Sequence, residues 1–223
     1  MKRISSLYNT RKNEDIWILG NAPSINKCNL ASLEFKNTIG LNGSPLLLEK
    51  LGYNSTYYLI TDRRFLQHPE KAQIAQKEFS KDNIKIVNDV LTTDVAKFSD
   101  IKNVLFAKCL SRDGFSLNLA KGFHFGSTTV MLGIQLGYYL GCKNIYLLGV
   151  DFNYVILEEN GKQVRSYAES KTQEFDTLLS VQMQNIANSH GILKKHGVNL
   201  WLCSKESLLL PYIPYKSFEE SLK

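Results

Sequence analysis

Asn144-Ile-Tyr-Leu-Leu-Gly-Val-Asp151-Phe-Asn-Tyr154, taken with Ile16-Trp-Ile-Leu-Gly20-Asn21-Ala-Pro-Ser24, decides how this chain folds. Each is an apolar run of strand length that stops abruptly in small and polar residues. The near-continuous apolarity of Asn144–Leu148 asks for burial on both faces, the situation of a central strand in a parallel sheet. In open α/β sheets, ligands settle outside the carboxyl ends of the strands. Gly20, Asn21, Ser24, Asp151 and Asn153 are therefore delivered to the edge where binding and chemistry occur.

Working outward, Thr38–Leu41, Tyr57–Ile60, Ile84–Val87, Val104–Phe106 and Asn199–Leu202 read as further strands. Pro45–Leu51 suits a helix, with Ser44 as N-cap and Pro45 in the first turn. Pro69–Phe79 suits another, because Pro starts helices well and Ala, Lys, Gln and Glu sustain them. Thr128–Leu140 is an apolar helix whose glycines allow close packing on a sheet, and Gln173–His196 spans a long helix. Ser217-x-x-Glu220 is a capping-box pattern that opens a short terminal helix. Residues 1–14 are polar and read as a loose lead-in, and Lys108–Phe125 has little periodicity. Strands alternating with helices predict an α/β fold, a single domain over residues 1–223 built on one doubly wound, mostly parallel sheet. The polar stretch 155–171, directly after Asp151, is either a surface loop or a lid over the strand ends.

Composition narrows the function classes. With 43% hydrophobic and 22% charged residues, the chain has the make-up of a globular domain with a substantial core. No apolar run approaches the roughly 20 residues that span a bilayer. Met1-Lys-Arg-Ile-Ser-Ser lacks the apolar region of a signal peptide, so the cytoplasm is the expected location. Cys28, Cys109, Cys142 and Cys203 form no C-x-x-C pair and read as reduced thiols. The four histidines show no ligand spacing, and no metal site is expected. A formal charge of +6 favours an anionic ligand or an acidic membrane surface. Arg63-Arg64 and Lys194-Lys195 are pairs rather than a stripe, so no nucleic acid partner is expected. Leu208–Tyr215 either packs into the core or makes a peripheral membrane contact, which would place the chain at the inner face of the cytoplasmic membrane.

Five segments carry ligand-grade residues. Gly20 lets a ligand approach the backbone, and the Asn21 amide both donates and accepts. This turn is not G-x-G-x-x-G, nor is there a G-x-x-x-x-G-K-[ST] loop, so dinucleotide and classical triphosphate folds are disfavoured. Asn42 follows the second strand, where it reads a base or ribose edge or makes a local turn bond. Asp62 follows the third strand and accepts from a sugar hydroxyl or pairs with Arg63 or Arg64, which in turn are able to clamp a phosphate or carboxylate. Ser127, Thr128 and Thr129 open an apolar helix, where free N–H groups suit an anion or a hydroxyl caps the helix. Asp151 is the strongest single residue, because a carboxylate after so apolar a strand must be solvated or paired.

This set resembles the bacterial family 42 sialyltransferases and the wider group of MptE-like and motility-associated-factor glycosyltransferase domains. The likeness is carried by Gly20-Asn-Ala-Pro-Ser-Ile25, Asn42, Gly126-Ser-Thr-Thr129, Lys143-Asn-Ile-Tyr-Leu-Leu-Gly-Val-Asp-Phe152 and Leu200-Trp-Leu-Cys-Ser-Lys-Glu-Ser-Leu-Leu209. It covers most of the chain and matches poorly between about residues 65 and 120. The resemblance implies a Rossmann-like sheet of the GT-A-like sialyltransferase type with a small lid. It also implies a metal-independent transferase with no cofactor, using a CMP-activated nonulosonic acid of sialic or pseudaminic type. By that likeness Asn21 and Ser24 line the donor phosphate and sugar, and Asn42 and Asp62 approach the nucleoside. Thr129 stands where such enzymes set a serine against the donor carboxylate. Tyr154 and Tyr167 supply hydroxyls to the donor phosphate, and Asp151 contacts the nucleotide or orients the reacting groups.

The chain departs from the family in one respect. Family members carry a histidine base in the lid, whereas here that stretch is Arg165-Ser166-Tyr167, and no histidine stands between Asp151 and His190. The expected function is transfer of a sugar from a CMP-activated donor to a surface glycan or glycoprotein, as in polysaccharide biosynthesis, with Asp151 left to take the acceptor proton. Two alternatives stand beside it. One is an MptE-like, Mg-dependent pterin diphosphokinase drawing on Asp62, Asp113 and Asp151. The other is a nucleotide-sugar-binding protein without catalysis.

Overall fold

The computed structural model describes residues 3–167 and 178–223. Its strands are β1 (Asp15–Leu19), β2 (Thr38–Leu41), β3 (Tyr57–Ile60), β4 (Ile84–Asn88), β5 (Val104–Ala107), β6 (Cys109–Ser111), β7 (Phe123–His124), β8 (Asn144–Leu148) and β9 (Asn199–Leu202). Seven of them form one sheet in the order β5-β4-β3-β2-β1-β8-β9, and β6 pairs with β7 outside it. Every pairing in the large sheet is parallel, so the expected doubly wound α/β sheet is present. Chain order runs outward from β1 to β5, then returns to β8 on the other side of β1. The gap between β1 and β8 is therefore the switch point at which such sheets open a crevice.

Strand alternation divides the core. Ile16 and Ile18 of β1, with Ile145 and Leu147 of β8, join one buried cluster, while Trp17 and Leu19, with Tyr146 and Leu148, join a second on the opposite face. Trp17 and Tyr146 are register partners and stack at 5.2 Å between ring centroids. Side chains of period two thus bury both faces of the central strands.

The helices are α1 (Pro45–Glu49), α2 (Arg63–Gln67), α3 (Pro69–Phe79), α4 (Thr92–Val95), α5 (Thr129–Tyr139), α6 (Tyr154–Glu159), α7 (Leu179–Lys195) and α8 (Phe218–Ser221). α5 is buried almost all round, lying between the sheet and α7. A Cβ at Gly137 would stand 2.9 Å from Ile145 Cδ1, so the glycine sets how closely this helix approaches the strands. The expected helix over Gln173–His196 is present as α7 from Leu179, and its first residues fall outside the described chain. The Ser217/Glu220 capping box is formed as expected.

Several expectations are corrected. Of the stretch 1–14 expected as a loose lead-in, the described residues 3–14 are fixed: Ile4 and Leu7 are buried, and the N–H groups of Asn9, Arg11 and Asn13 donate to the carbonyls of Tyr139, Leu140 and Gly141. Those carbonyls end α5 and would otherwise lack partners. Ser44 does not cap α1; its own backbone is already helical and its hydroxyl accepts nothing from the helix. α2, α4 and the β6–β7 pair were not anticipated. The Leu208–Tyr215 stretch divides, with Leu209 and Ile213 in the core and Leu210, Tyr212 and Tyr215 exposed. All four cysteines are free, and burial pushes the Cys28 thiol up to about 11 and those of Cys142 and Cys203 to about 12. No helix among the described residues is long and apolar enough to cross a membrane.

One buried amide ties the irregular stretch before α5 to that helix. Gln135 Oε1 accepts from the N–H groups of Ser116 and His124, while Nε2 donates to the carbonyls of His124 and Met131. Its four bonds saturate a side chain with no solvent exposure. Gln135→Leu should leave at least two buried N–H groups unpaired and cost about 3 kcal/mol, measured as a lowered urea midpoint.

Candidate functional site

A cleft of about 190 Å³ opens at the carboxyl ends of the central strands, at the β1/β8 switch point. Gly20, Asn21 and Ala22 line it after β1, Asn42 after β2, Thr61 and Asp62 after β3, and Gly149–Tyr154 after β8. The turn before α5 supplies Ser127 and Thr128, and the segment after α6 supplies Val164, Arg165 and Tyr167. Apart from Ser24, the expected site residues Gly20, Asn21, Asn42, Asp62, Ser127, Thr128, Thr129, Asp151, Asn153, Tyr154 and Tyr167 therefore meet at one place.

The floor of the cleft is set by the ends of β1 and β8. Gly20 N–H donates to the Leu148 carbonyl at 2.8 Å and Ala22 N–H to Gly149 at 3.0 Å. A Cβ on residue 20 would lie 2.2 Å from the Gly149 oxygen. This corrects the role expected of Gly20: its missing side chain admits the neighbouring backbone, and the ligand benefits only indirectly. Asn21 Nδ2 donates to the Leu41 carbonyl at 3.1 Å, which leaves Oδ1 buried without a partner. Asn42 is likewise held with an unpartnered Oδ1, and its carbonyl accepts from the fully buried Tyr58 hydroxyl at 2.6 Å. Two amide acceptors thus stand ready at adjacent strand ends.

Asp151 is 1% exposed, and its Oδ1 accepts from the Ser24 hydroxyl at 2.8 Å. Ser24 is therefore a support for Asp151 and does not line the cleft, contrary to the expected donor contact. The second oxygen, Oδ2, has no hydrogen-bonding partner. Burial pushes the Asp151 carboxyl above its usual range, and the Ser24 and Ser204 hydroxyls pull it partway back. The backbone around it is fastened: Leu208 N–H donates to the Asp151 carbonyl and Ser207 Oγ to that of Val150, both at 2.8 Å. Asn153 Nδ2 donates to the Glu206 carbonyl at 3.2 Å.

The remaining hydroxyls and charges are more committed than the sequence suggested. Thr128 caps α5, and the Thr129 hydroxyl is bonded to that of Thr61 at 2.7 Å, both buried, so its first partner is in the protein. Asp62 caps α2 and takes a bidentate pair from Arg64, leaving less of it for a sugar hydroxyl than expected. Arg63 turns to Asp94 and the Val90 carbonyl and does not line the cleft. Asp113 is held by Arg112 and Asn185, also away from it. His190 and His196 sit on or just after α7, outside the cleft lining.

The stretch expected as a loop or lid over 155–171 begins as α6, which buries none of its residues, and then crosses to the cleft; residues 168–171 lie outside the described chain. Ser166 N–H donates to the Asn21 carbonyl at 2.7 Å and Asn26 Nδ2 to the Ser166 carbonyl at 3.2 Å. The Tyr167 ring fills the space above Gly43, where a Cβ would meet its hydroxyl oxygen at 2.3 Å. Lys71 and Gln182, polar residues not expected at the site, also line the cleft, as do the apolar Phe65, Phe125 and Val164. Lys71 was legible in principle, since it interrupts the inward stripe of α3. Among the described residues, no group of three His, Cys, Asp or Glu side chains gathers in a way that would hold a metal.

No protein-family model matches this chain, and no curated protein sequence matches it either. Solved structures share its fold. The MAf glycosyltransferase from Magnetospirillum magneticum AMB-1 superposes with a TM-score of 0.60 at 14% identity, over 92% of this chain and 36% of that one. This chain thus spans about a third of that protein's length. The sialyltransferase CST-II, in complex with a trisaccharide acceptor and CMP, superposes with a TM-score of 0.52 at 14% identity, covering 91% of this chain and 86% of that one. The likeness is one of fold: a Rossmann-like, parallel α/β sheet.

Two variants test this geometry. Gly20→Ala must force β1 and β8 apart and should destabilise by about 2 kcal/mol or more, read by chemical denaturation. Asp151 carries a folded-state pKa above its unfolded one, so its favourable contribution is full below the unfolded value and is lost as pH rises through the folded value. Asp151→Asn should therefore raise the melting temperature by a few degrees near neutral pH, with the gain shrinking toward about pH 4. A gain that stays constant with pH would remove the burial argument.

Proposed function

We propose that this chain is a glycosyltransferase that takes a sugar from a CMP-activated donor, of the sialic or pseudaminic type, and passes it to a glycan or glycoprotein hydroxyl. The observation that carries this reading is the pairing of a buried Asp151, one oxygen unpartnered, with a cleft whose other walls are amides, hydroxyls and the cations Arg64, Lys71 and Arg165. Such a lining suits an anionic, hydroxyl-rich ligand at a sheet switch point. The fold shared with CST-II, whose structure holds CMP and a trisaccharide acceptor, supports the nucleotide assigned.

In this reading the acceptor hydroxyl oxygen attacks the anomeric carbon while the bond from that carbon to the phosphate oxygen breaks. The bonding pair leaves with CMP, and the acceptor proton passes to Asp151 Oδ2. Configuration at the carbon inverts. A raised carboxyl pKa helps such a base, because it brings proton affinity closer to that needed in the transition state. Ser24 fixes the orientation of the carboxylate through Oδ1. Tyr154, Tyr167 and Arg165 lie on the segment that follows Asp151 and would meet the leaving phosphate, placing donors where negative charge develops. In this reading no metal takes part in the transfer. Asp62 is engaged by Arg64 and Asp113 lies elsewhere, which counts against the Mg-dependent diphosphokinase.

Thermal shift with CMP, UDP, GDP and ATP, with and without Mg²⁺, should give a selective, metal-independent rise with CMP. A rise with ATP that requires Mg²⁺ would overturn the proposal. Donor hydrolysis and transfer assays then separate an enzyme from a binding protein. Asp151→Asn should lower turnover at least about 100-fold while CMP affinity stays within a few-fold.

A further inference from the structure

The buried stripe of α7 is Gln182, Asn185, Ile186, Ser189 and Leu193. Its spacing, i, i+3, i+4, i+7 and i+11, is that of a helix face packed inward, where apolar residues are the rule. The half toward the cleft is largely polar instead, and each of its polar side chains has a partner. Ser189 Oγ donates to the Asn185 carbonyl at 2.8 Å. Asn185 Oδ1 accepts from the Gly114 N–H at 3.2 Å, and its Nδ2 donates to the Asp113 carboxylate at 3.0 Å. Gln182, 9% exposed and part of the cleft wall, donates from Nε2 to the Ser127 carbonyl at 2.9 Å. A leucine or methionine at 182 would complete the stripe; the amide is spent on the turn that opens α5.

That turn is strained. Gly126 and Ser127 both have positive φ, 57° and 56°. Glycine adopts this conformation freely, whereas a serine holds it only where its surroundings impose it. A Cβ on Gly126 would stand 2.3 Å from Met131 Cγ and 3.2 Å from Asn185 Cβ, so α5 and α7 crowd the turn from two sides. The peptide after Ser127 is fixed at both ends: its carbonyl by Gln182, and its N–H, that of Thr128, by the Phe125 carbonyl at 3.2 Å. Were Ser127 to relax to negative φ, this peptide would reorient, and Thr128 and Thr129, which line the cleft with Ser127, would move with it. We propose that Gln182 is a positioning residue of the donor site: by holding the Ser127 peptide in its left-handed turn, it sets the wall that Ser127, Thr128 and Thr129 present, and ligand affinity depends on it. This rests on the donor-site reading above. It makes α7 a working part of the site, acting through Ser127.

A double-mutant cycle tests this. Gln182→Met removes the donor at nearly constant volume, and Ser127→Gly removes the strain that the donor opposes. Both single variants, the double variant and the wild-type chain are compared by hydrogen–deuterium exchange over residues 125–131 and by calorimetric titration with CMP, with melting temperatures verifying the fold. Gln182→Met alone should speed exchange in that stretch and weaken CMP binding, each roughly tenfold or more. In the Ser127→Gly background the same substitution should change either quantity by no more than about threefold. Equal losses in both backgrounds would mean that Gln182 touches the ligand itself or acts elsewhere, and would overturn the proposal. So would unchanged exchange, or exchange that responds while affinity does not, the mark of a merely structural amide. If the wild-type chain binds a nucleotide other than CMP, the CMP reading fails by itself. The exchange arm needs no ligand, and the same cycle run with that nucleotide then decides the role of Gln182.

Discussion

The contact on which this site depends is between two backbones. After β1 and β8, the chain turns at Gly20 and Gly149, and the two turns meet so closely that no side chain fits at residue 20. Parallel strands normally diverge into loops here, and the crevice of a doubly wound sheet is simply the space between them. In this chain the loops are drawn together at the base by two N–H···O bonds and separate above it. The crevice therefore has a floor. Asn21 leaves that floor from one side and Asp151 from the other, each with a side-chain oxygen that the protein does not satisfy.

Strain is distributed accordingly. Among the described residues, non-glycine backbones with positive φ are mostly Asn or Asp in turns, which tolerate it. The two exceptions, Ser127 at φ 56° and Phe152 at φ 56°, both line the cleft. Such conformations cost on the order of 1–3 kcal/mol each and survive only where the surroundings impose them. Here the surroundings are visible: Gln182 holds the Ser127 carbonyl, and the Ser207–Leu208 turn holds the backbone on the N-terminal side of Phe152. The molecule thus braces both rims of its cleft, one through Gln182 and the other through the Ser207–Leu208 turn.

How much of this was legible follows from what a sequence encodes directly. Runs such as Ile16–Leu19 and Asn144–Leu148 announce strands because burial on both faces demands apolar residues at every position. The polar residues that end them announce the cleft for the same reason, and Asp151 stood out because nothing apolar could explain it. What was missed is of another kind. Residues 9–13 look like a polar tail because their work is done by backbone N–H groups, which are the same in every residue but proline. The role of Ser24 was misassigned because composition shows a hydroxyl near a carboxylate without saying that one will occupy the other. The Arg63/Arg64 pair looked symmetric, yet a helix starting at residue 63 sends one toward Asp94 and the other toward Asp62. Lys71 was hidden among other helix-forming residues, and only the phase of the α3 stripe separates it from the exposed Lys77.

The Tyr167 ring and residue 43 share one volume, and this has a consequence for how the fold can vary. The space that a methyl group would take at position 43 is already filled by a phenol from a segment more than a hundred residues later. The two positions are thus exclusive partners: among proteins built on this plan, a side chain at the one and an aromatic ring at the other should not be found together. A lineage that lost the glycine would have to reroute the segment after α6, and with it everything that segment brings to the opening. A single hydrogen atom at residue 43 acts as a record of where the chain closes.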